Sequence, residues 1–283
     1  MVAVRAAVEP DTADRAREYS EQGFTVFRNC FSKSEAAALL EEVERCAALD
    51  EAESSLSARG IRYSGAIFLR SEICRNMLTD RRIIDLITPV AGGDLWVCMD
   101  QAVTKYPGAG VFRWHQDNGY NRLKREHFQL WIALTPTRKK NGALTLAPGS
   151  HKRGLLPHTY AGVGQMEVAA EIGNTVTIDA DAGDVILFSS MMLHCTGPNE
   201  ADTQRVAYVA EFMRMQDFAP KSTPPYFVAA TGGTPNPHFT NRKPGARSVR
   251  NQLMYLAPRI GDALRSSVRS MRKTLRGVGR KAA

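Results

Sequence analysis

The chain has 283 residues, of which 43% are hydrophobic and 23% charged, as in an ordinary globular protein with a sizeable core. This composition excludes an intrinsically disordered chain, a collagen and a small disulfide-rich scaffold. The formal net charge of +8 is unevenly distributed, because residues 242–281 carry twelve basic residues and one acidic residue.

The first third of the chain has the pattern of helices around one short strand. The apolar spacing predicts helices over residues 10–20, 32–48 and 80–90. Ser32 is a hydroxyl N-cap candidate for the second helix. Between the first two helices, Gly23-Phe-Thr-Val-Phe-Arg predicts a short strand, and residues 50–70 predict an irregular loop over a site.

From residue 95 the pattern changes to short β-rich runs. Strands are predicted over residues 95–106, 111–116, 128–135, 143–147, 175–179, 184–189 and 205–215. Turn-forming pairs such as Pro107-Gly108 and Asn141-Gly142 separate them. Helices therefore precede strands, which is an α+β order, and so many short strands favour a sandwich or a barrel.

The cysteines and the apolar runs bear on location. Five widely spaced cysteines without a Cys-x-x-Cys pair are typical of free thiols in a reducing compartment. Residues 1–21 are charged and lack the apolar core of a secretory signal. No run approaches the roughly 20 apolar residues of a membrane helix. We therefore expect a cytoplasmic protein without a membrane span.

Three residues form a candidate metal site. His115 and Asp117 stand two apart beside a predicted strand, and His194 follows another. Two imidazoles and one carboxylate suit a non-haem Fe(II) centre with open coordination positions. Eleven residues later, Arg205 begins a strand, and its guanidinium can bind a carboxylate through two parallel hydrogen bonds. The distal carboxylate of 2-oxoglutarate fits this position, and Thr196 can add a hydroxyl donor.

The ordered set of motifs from about Gly23 to about Arg214 resembles the phytanoyl-CoA dioxygenase family of Fe(II)/2-oxoglutarate-dependent oxygenases. The motifs are Gly23-Phe-Thr-Val-Phe27, Trp114-His-Gln-Asp117, Leu130-Trp-Ile-Ala-Leu134, Asn141-Gly-Ala-Leu144, Pro148-Gly-Ser-His-Lys152, Ala182-Gly-Asp184, His194-Cys-Thr-Gly-Pro-Asn199 and Arg205. The resemblance implies a mainly β fold with flanking helices, built on a double-stranded β-helix core, the jelly-roll of cupin-like proteins.

The resemblance also implies residue roles and cofactors. Fe(II) would be held by His115, Asp117 and His194. The co-substrate 2-oxoglutarate would be bound by Arg205, Thr196, Trp131 and Gln101, although Trp131 also fits a plain core position. O₂ would be the oxidant. Related halogenases have a small residue where this chain has Asp117, so hydroxylation or another two-electron oxidation is expected here.

Substrate contacts are predicted from loops and from strand alternation. The candidates are Arg62, Tyr63, Phe68, Tyr120, Glu211 and Met213. Counting by two from Arg205 places Glu211 and Met213 on the same strand face as that arginine. Arg62 could grip an acidic substrate, but exposed arginines usually bind nothing specific.

The domain prediction is a single oxygenase domain over residues 1–259, followed by a basic amphipathic helix over residues 260–283. We favour a helix docked on the core with its basic face in solvent. The alternatives are an acidic partner, such as a carrier protein, or a membrane surface. Nucleic acid is not predicted, because the tail lacks interleaved aromatic residues.

These observations favour an oxygenase that hydroxylates an aliphatic carbon of a small-molecule metabolite, in secondary metabolism. One alternative is an oxygenase that acts on an acyl group bound to CoA or to a carrier protein. Another is a cupin-like protein that binds a metal or a small acid without turnover. Succinate production in the presence of iron discriminates this last alternative from an oxygenase.

Overall fold

The computed structural model describes residues 12–49, 60–162, 165–217 and 227–236. Within these ranges lie five α-helices: α1 Thr12–Gln22, α2 Lys33–Ala48, α3 Glu72–Leu78, α4 Arg81–Ala91 and α5 Asn118–Asn121. Short 3-10 helices occur at Ile67–Leu69, Lys139–Asn141 and Ser150–Arg153. The predicted basic helix over residues 260–283 lies outside the described residues, so that prediction and the domain boundary remain untested.

The β-structure dominates the second half of the chain. The strands are β1 Phe24–Phe27, β2 Ile61–Gly65, β3 Leu95–Lys105, β4 Phe112–His115, β5 Phe128–Ala133, β6 Leu144–Leu146, β7 His158–Tyr160, β8 Met166–Val168, β9 Val176–Thr177, β10 Val185–Ser189, β11 His194–Thr196, β12 Arg205–Arg214, β13 Phe227–Thr231 and β14 Thr234–Pro235. Short strands joined by Gly- and Pro-containing turns are typical of sandwiches and barrels.

Antiparallel pairing joins these strands into a large and a small sheet. The large sheet has the order β1-β10-β5-β12-β3-β13-β14, and β2 also pairs with β3. The small sheet has the order β4-β11-β6-β9, and β7 pairs with β8. Because most neighbours in space are distant in sequence, the chain crosses between the sheets as in a jelly-roll. The predicted fold, mainly β with flanking helices around a jelly-roll, is confirmed.

One core, called the outer core, lies between the large sheet and the helices. Val206, Tyr208 and Ala210 of β12 belong to the same apolar cluster as Leu39 of α2 and Ile84 of α4. These β12 residues are spaced by two, the period of a strand that presents one face to a core. The helices therefore cover the outer face of the large sheet.

A second core, called the inner core, lies between the two sheets. The alternate β12 residues Ala207 and Val209 cluster with Phe188 of β10, Trp131 of β5 and Leu146 of β6. Large and small sheets thus enclose a separate apolar interior. All residues of β12 up to Met213 are buried, because this strand has a core on each face.

Two local features fix how the outer layers join the sheet. Ser32 caps α2 in a capping box: its Oγ accepts from the Glu35 N–H at 3.2 Å, and Glu35 Oε2 accepts from the Ser32 N–H at 2.7 Å. Gly183, with φ +97°, forms the turn before β10, and an added Cβ would lie 2.1 Å from the Phe31 carbonyl oxygen. Only glycine fits that conformation and that approach.

Several predicted boundaries agree with the structure, but the segment 60–70 differs. The predicted loop contains the strand β2 and a 3-10 helix at Ile67–Leu69, and the sequence pattern also missed α3. Elements of three to seven residues carry too few periodic positions to be recognised, and β2 forms because β3 offers it a partner.

The five cysteines are all free thiols, as predicted. Cys46 and Cys74 are buried in the outer core, while Cys30, Cys98 and Cys195 are partly buried. Among the described residues, no helix is long and apolar enough to cross a membrane.

Candidate active site

Three predicted metal ligands converge at the end of the small sheet. His115 ends β4 and His194 begins β11, and the two residues are directly opposed in the strand pair. Asp117 Oδ1 lies 3.4 Å from His115 Nε2, and Asp117 Oδ2 lies 3.6 Å from His194 Nε2. The three ligand atoms all lie within 4.8 Å of one another. One ion could therefore contact all three.

The backbone at Asp117 differs from the extended strand that the spacing suggested. β4 ends at His115, and Asp117 has helical backbone angles at the beginning of α5. The turn, and not strand alternation, brings the carboxylate back toward the imidazoles. The structure brings the three predicted ligands together, and the geometry that gathers them is a strand end followed at once by a helical turn.

Both imidazoles are oriented by backbone carbonyls. His115 Nδ1 lies 2.8 Å from the Arg113 carbonyl oxygen, and His194 Nδ1 lies 3.0 Å from the Met192 carbonyl oxygen. When each Nδ1 carries the proton, its N–H donates a hydrogen bond to the carbonyl oxygen, and each Nε2 has a free lone pair. Metal-binding histidines are fixed in this way in many proteins. Both Nε2 atoms then point at Asp117.

The protonation of the ligands suits a cation. Burial, reinforced by the charge of His115, lowers the pKa of His194 to about 4, so this imidazole is neutral at neutral pH. Burial alone would raise the pKa of Asp117, but the two nearby histidines outweigh burial and lower it to about 2. A neutral imidazole beside an ionised carboxylate is the form in which both bind a divalent metal.

Gln116, between two of the ligands, braces the site. Its side chain is buried, and its amide nitrogen donates to the Gly154 carbonyl at 2.8 Å and to the Met191 carbonyl at 2.6 Å. Its amide oxygen accepts from the Leu156 N–H at 2.8 Å. Its backbone N–H donates to Nε2 of His158 at 3.0 Å. Two separate segments, residues 154–158 and the turn at Met191, are thus tied to the metal motif.

Arg205 is a buried cation with no partner in the described chain. Its residue is 1% exposed, and none of the three guanidinium nitrogens has a hydrogen-bond partner. The guanidinium carbon lies 5.7 Å from the centre of the Trp131 ring. Burial lowers the pKa of Arg205 to about 10, so it stays charged at neutral pH. Buried charges are normally paired, so this geometry calls for an anionic ligand.

Lys105 supplies a second cation that the sequence analysis missed. It is opposite Arg205 in the β3–β12 pair and is fully buried. Its Nζ donates to Thr196 Oγ1 at 3.1 Å and to the Gly197 carbonyl. Burial, and then the charge of Arg205, lowers the pKa of Lys105 to about 7. A signal was present, because Gln101 was a candidate and Lys105 lies four residues further along the same strand face.

The other predicted co-substrate residues lie on the same interior face. Trp131 is buried between the sheets and pairs with Val209 of β12. Gln101 also pairs with Val209, from the β3 side. Thr196 is joined to Lys105 by the hydrogen bond described above. The structure therefore brings Arg205 close to Trp131, and Thr196 close to a second cation.

Two of the predicted substrate residues do not reach the interior. Arg62 points outward from β2 and donates to the Ala47 carbonyl at the end of α2. Phe68 belongs to the outer core, where its ring stacks on Phe227 with centroids 5.7 Å apart. The structure therefore does not bring either residue to the interior. The chain passes from β2 into a 3-10 helix that turns Phe68 under the helices.

The two predicted tyrosines lie near the metal ligands. The Tyr63 ring is 6.3 Å from that of Phe112, which in turn is 4.5 Å from the His115 ring. The Tyr63 hydroxyl is buried and has no hydrogen-bond partner among the described residues. The Tyr120 ring is 6.0 Å from His115, and its hydroxyl accepts from the Met166 N–H at 2.9 Å. Phe112 is an aromatic neighbour that the sequence analysis did not single out.

The remaining two candidates lie near the end of β12. Glu211 is buried on the interior face, beside the buried His127. Met213 is buried in a small cluster with Trp96 and Leu123. Strand alternation correctly predicted that both side chains face the interior. Their positions alone assign neither residue a role in substrate binding.

A jelly-roll that gathers two histidines and a carboxylate at one end of its small sheet is the hallmark of the non-haem iron oxygenases that use 2-oxoglutarate. Residues 19–207 match the family described as Phytanoyl-CoA dioxygenase (PhyH), and the chain belongs to that family. Its cofactors are Fe(II), the co-substrate 2-oxoglutarate and O₂, and the donor set and the unpaired Arg205 fit them.

Known relatives and structures agree with this assignment. Ectoine dioxygenase of Bordetella parapertussis is 25% identical over 271 residues, covering 84% of this chain and 85% of the relative. Methylphosphonate hydroxylase of Gimesia maris is 30% identical over 131 residues, covering 46% and 50%. The structure of the epimerase SnoN in complex with Fe³⁺, alpha ketoglutarate and nogalamycin RO has a TM-score of 0.63 at 21% identity, covering 83% and 96%, and shows the same fold.

Proposed function

We propose that this chain hydroxylates an aliphatic carbon of a small-molecule metabolite, with Fe(II), 2-oxoglutarate and O₂. The observation that carries the proposal is the buried pair of Arg205 and Lys105, two cations without a carboxylate partner in the described chain. They lie in the same interior as a complete three-ligand metal site. A dicarboxylate that also chelates the metal satisfies both features at once.

Each protein group then has a positional task. His115, Asp117 and His194 would hold Fe(II), with Arg205 and Lys105 binding the distal carboxylate of 2-oxoglutarate and Thr196 supporting Lys105. Bound together, these cofactors supply oxygen activation and the electrons for insertion of oxygen into a C–H bond. The apolar walls formed by the inner core exclude water from the reacting centre.

Hydroxylation is the proposed outcome because Asp117 supplies a carboxylate ligand. Related halogenases have a small residue at this position and therefore lack that ligand. Two relatives are named a dioxygenase and a hydroxylase and carry the names of small molecules, which supports a small-molecule substrate. A structural neighbour is named an epimerase, so product analysis decides the reaction. A role in secondary metabolism belongs to the same proposal.

The test is to add Fe(II) and 2-oxoglutarate to the purified protein without oxygen and to record the visible spectrum. We expect a weak metal-to-ligand charge-transfer band that is absent in His115→Ala. In Arg205→Ala the Kd for 2-oxoglutarate should rise about tenfold or more, because hydrogen bonds to a charged group are lost. Arg81→Ala, an exposed arginine of α4 paired with Asp85, is the matched control and should behave like the wild type.

Admission of air completes the test. Formation of succinate supports an oxygenase. A band without any succinate would indicate the alternative of a binding protein without turnover. If no band forms in the wild-type protein, the proposed function is wrong.

A further inference from the structure

A group of polar side chains lies on the inner face of the large sheet, and the proposed binding of metal and 2-oxoglutarate does not use it. Glu211 of β12 stands at its centre and is 5% exposed. Its Oε2 accepts from Asn121 Nδ2 at 3.4 Å and from Cys98 Sγ at 3.4 Å. His127 Nε2 lies 3.4 Å from the same oxygen. With Gln129, these residues are named the Glu211 group.

Strand pairing places the Glu211 group on the face that carries the metal site. Glu211 is directly opposite Gln129 of β5, and Gln129 is directly opposite Phe188 of β10. Opposed residues on neighbouring antiparallel strands project to the same side of a sheet. The Phe188 ring in turn contacts the His194 ring, with centroids 4.9 Å apart. The Glu211 group is therefore directed into the interior that holds the metal ligands.

A β-bulge in β3 fixes one side of Glu211. Glu211 pairs with Met99 but Phe212 pairs with Val97, so Cys98 is an extra residue in the ladder. Bulges redirect side chains and are frequent beside active sites. Here the Cys98 thiol lies 3.4 Å from Oε2 and 3.5 Å from the main-chain oxygen of Glu211. One carboxylate oxygen is thereby held in place by the protein.

Gln129 and His127 carry buried polar atoms that have no hydrogen-bond partner within the described residues. The contacts of Glu211 to described residues all go to Oε2, which leaves Oε1 for another molecule. The Gln129 residue is 1% exposed, and its amide nitrogen has no hydrogen-bond partner in the described chain. Neither ring nitrogen of buried His127 has an aligned hydrogen bond. Buried polar groups are nearly always satisfied, so this concentration of unsatisfied ones indicates a bound molecule.

We propose that the Glu211 group binds the polar head of the substrate, and that this head donates hydrogen bonds, as a hydroxyl or a protonated nitrogen does. A carboxylate oxygen with no partner attracts such a donor and repels a carboxylate or another oxyanion. Gln129 lies beside it and offers an amide to the same head group. The inference rests on the proposed function, because it takes the metal site as the reacting end of the same interior.

The competing explanation is an ion pair that serves folding alone. Burial opposes a charge on His127, but the Glu211 carboxylate outweighs burial and raises the pKa of His127. His127 Nε2 and Glu211 Oε2, 3.4 Å apart, can therefore form an ion pair when His127 is protonated. It occupies only Oε2, and it explains neither the second oxygen of Glu211 nor the amide of Gln129. A folding role and a binding role differ in ligand selectivity, which can be measured.

The experiment uses three probes with one carbon skeleton: cyclohexylmethylamine, cyclohexylmethanol and cyclohexanecarboxylate. Their Kd values are measured by saturation-transfer NMR on the full-length protein loaded with Zn(II), a diamagnetic substitute for iron, and saturated with 2-oxoglutarate. The co-substrate prevents the carboxylate probe from binding at Arg205 and Lys105. The variants are Glu211→Gln and Glu211→Asp. Glu126→Gln, a neighbour of His127 that accepts a hydrogen bond from Tyr19, is the matched control.

We expect the amine and the alcohol to bind about tenfold or more tightly than the carboxylate. Glu211→Gln should weaken binding of the amine about tenfold and remove the preference for the amine and the alcohol over the carboxylate. Glu211→Asp and Glu126→Gln should keep this preference. Equal affinities in the wild type, a preference that survives in Glu211→Gln, or no binding of any probe would each overturn the inference. The transfer signal of 2-oxoglutarate in the same tube reports on the proposed function, so the two failures are distinguishable.

Discussion

At Lys105, burial and the neighbouring Arg205 guanidinium lower the ammonium pKa to about 7. Below this pH the free protein already carries the charge that a dicarboxylate needs. Above it, binding must be accompanied by uptake of a proton, so we expect the Kd for 2-oxoglutarate to rise with pH. The limiting slope is about tenfold per pH unit, since one proton is linked to binding. Titration of the charge-transfer band at several pH values between 6.5 and 8.5 measures it.

Lys105→Met is the variant that assigns this pH dependence. It should bind 2-oxoglutarate about tenfold or more weakly at pH 6.5, because a charged hydrogen-bond donor is lost, and its Kd should vary little up to pH 8.5. Arg205 has a pKa of about 10 and stays charged across this range. A Kd in Lys105→Met that rises as steeply as in the wild type would show that another group titrates.

At the scale of elements, the cap of α2 tests how the helical layer is stabilised. Ser32→Ala removes the Oγ acceptor of the capping box, so we expect the free energy of unfolding to fall by about 1 kcal/mol. Chemical denaturation with urea measures the change, and Glu41→Ala on the exposed face of α2 is the control. Affinity for 2-oxoglutarate should not change. An equal loss in both variants would mean that the capping hydrogen bond is not responsible.

The partner in the capping box adds a pH dependence to this layer. Hydrogen bonds from Arg82 are the main reason that the pKa of Glu35 is lowered from 4.5 to about 2. A lowered carboxyl pKa stabilises the fold above the unfolded value and loses that contribution as pH falls through the folded value. Acid unfolding profiles of the wild type and Glu35→Gln should therefore converge as pH falls from about 5 to 2. Acid unfolding profiles that stay parallel between pH 5 and 2 would contradict this contribution of Glu35 to stability.

The sequence predicted side-chain positions well only where an element is long enough to maintain a regular alternation of side chains. Along β12, alternation correctly put Arg205, Glu211 and Met213 on one interior face, because the strand is long and pairs on both sides. Phe68 was proposed from its place in a predicted loop, and the structure instead puts it in a 3-10 helix that follows a short strand. Alternation could not have shown Cys98 turning toward Glu211, because a bulge depends on the partner strand.

At the scale of the whole molecule, the site is assembled from strands that are distant in sequence. β4, β11, β12 and β3 each contribute, and their order in the sheets reflects crossovers that no local pattern contains. The three candidate metal ligands could be proposed from the sequence because the motifs occur in a familiar order. Lys105 lies on the same face of β3 as the candidate Gln101, but its role follows only from being opposite Arg205 across β3 and β12.

The basic tail poses the last question at this scale, since the domain boundary at residue 259 and the helix over residues 260–283 are still proposals. An amphipathic helix that docks on the core buries its apolar stripe, Ile260, Leu264, Val268, Met271 and Leu275. Deletion of residues 260–283 should then lower the free energy of unfolding by about 2 kcal/mol or more, the cost of exposing even one or two such side chains. Urea denaturation of the two forms measures this.

Neutralising the basic face separates docking from partner binding. The variant changes Arg265, Arg269, Arg272, Lys273 and Arg276 to Gln and leaves the apolar stripe intact. If the tail only docks, this variant keeps the stability of the wild type and binds an acidic acyl carrier protein no differently. If the tail recruits a carrier-bound substrate, calorimetry should show carrier binding that weakens about tenfold in the variant and falls with added salt, because exposed charges are screened. A loss of stability without any change in carrier affinity would contradict both assignments, since neither requires the charges for folding.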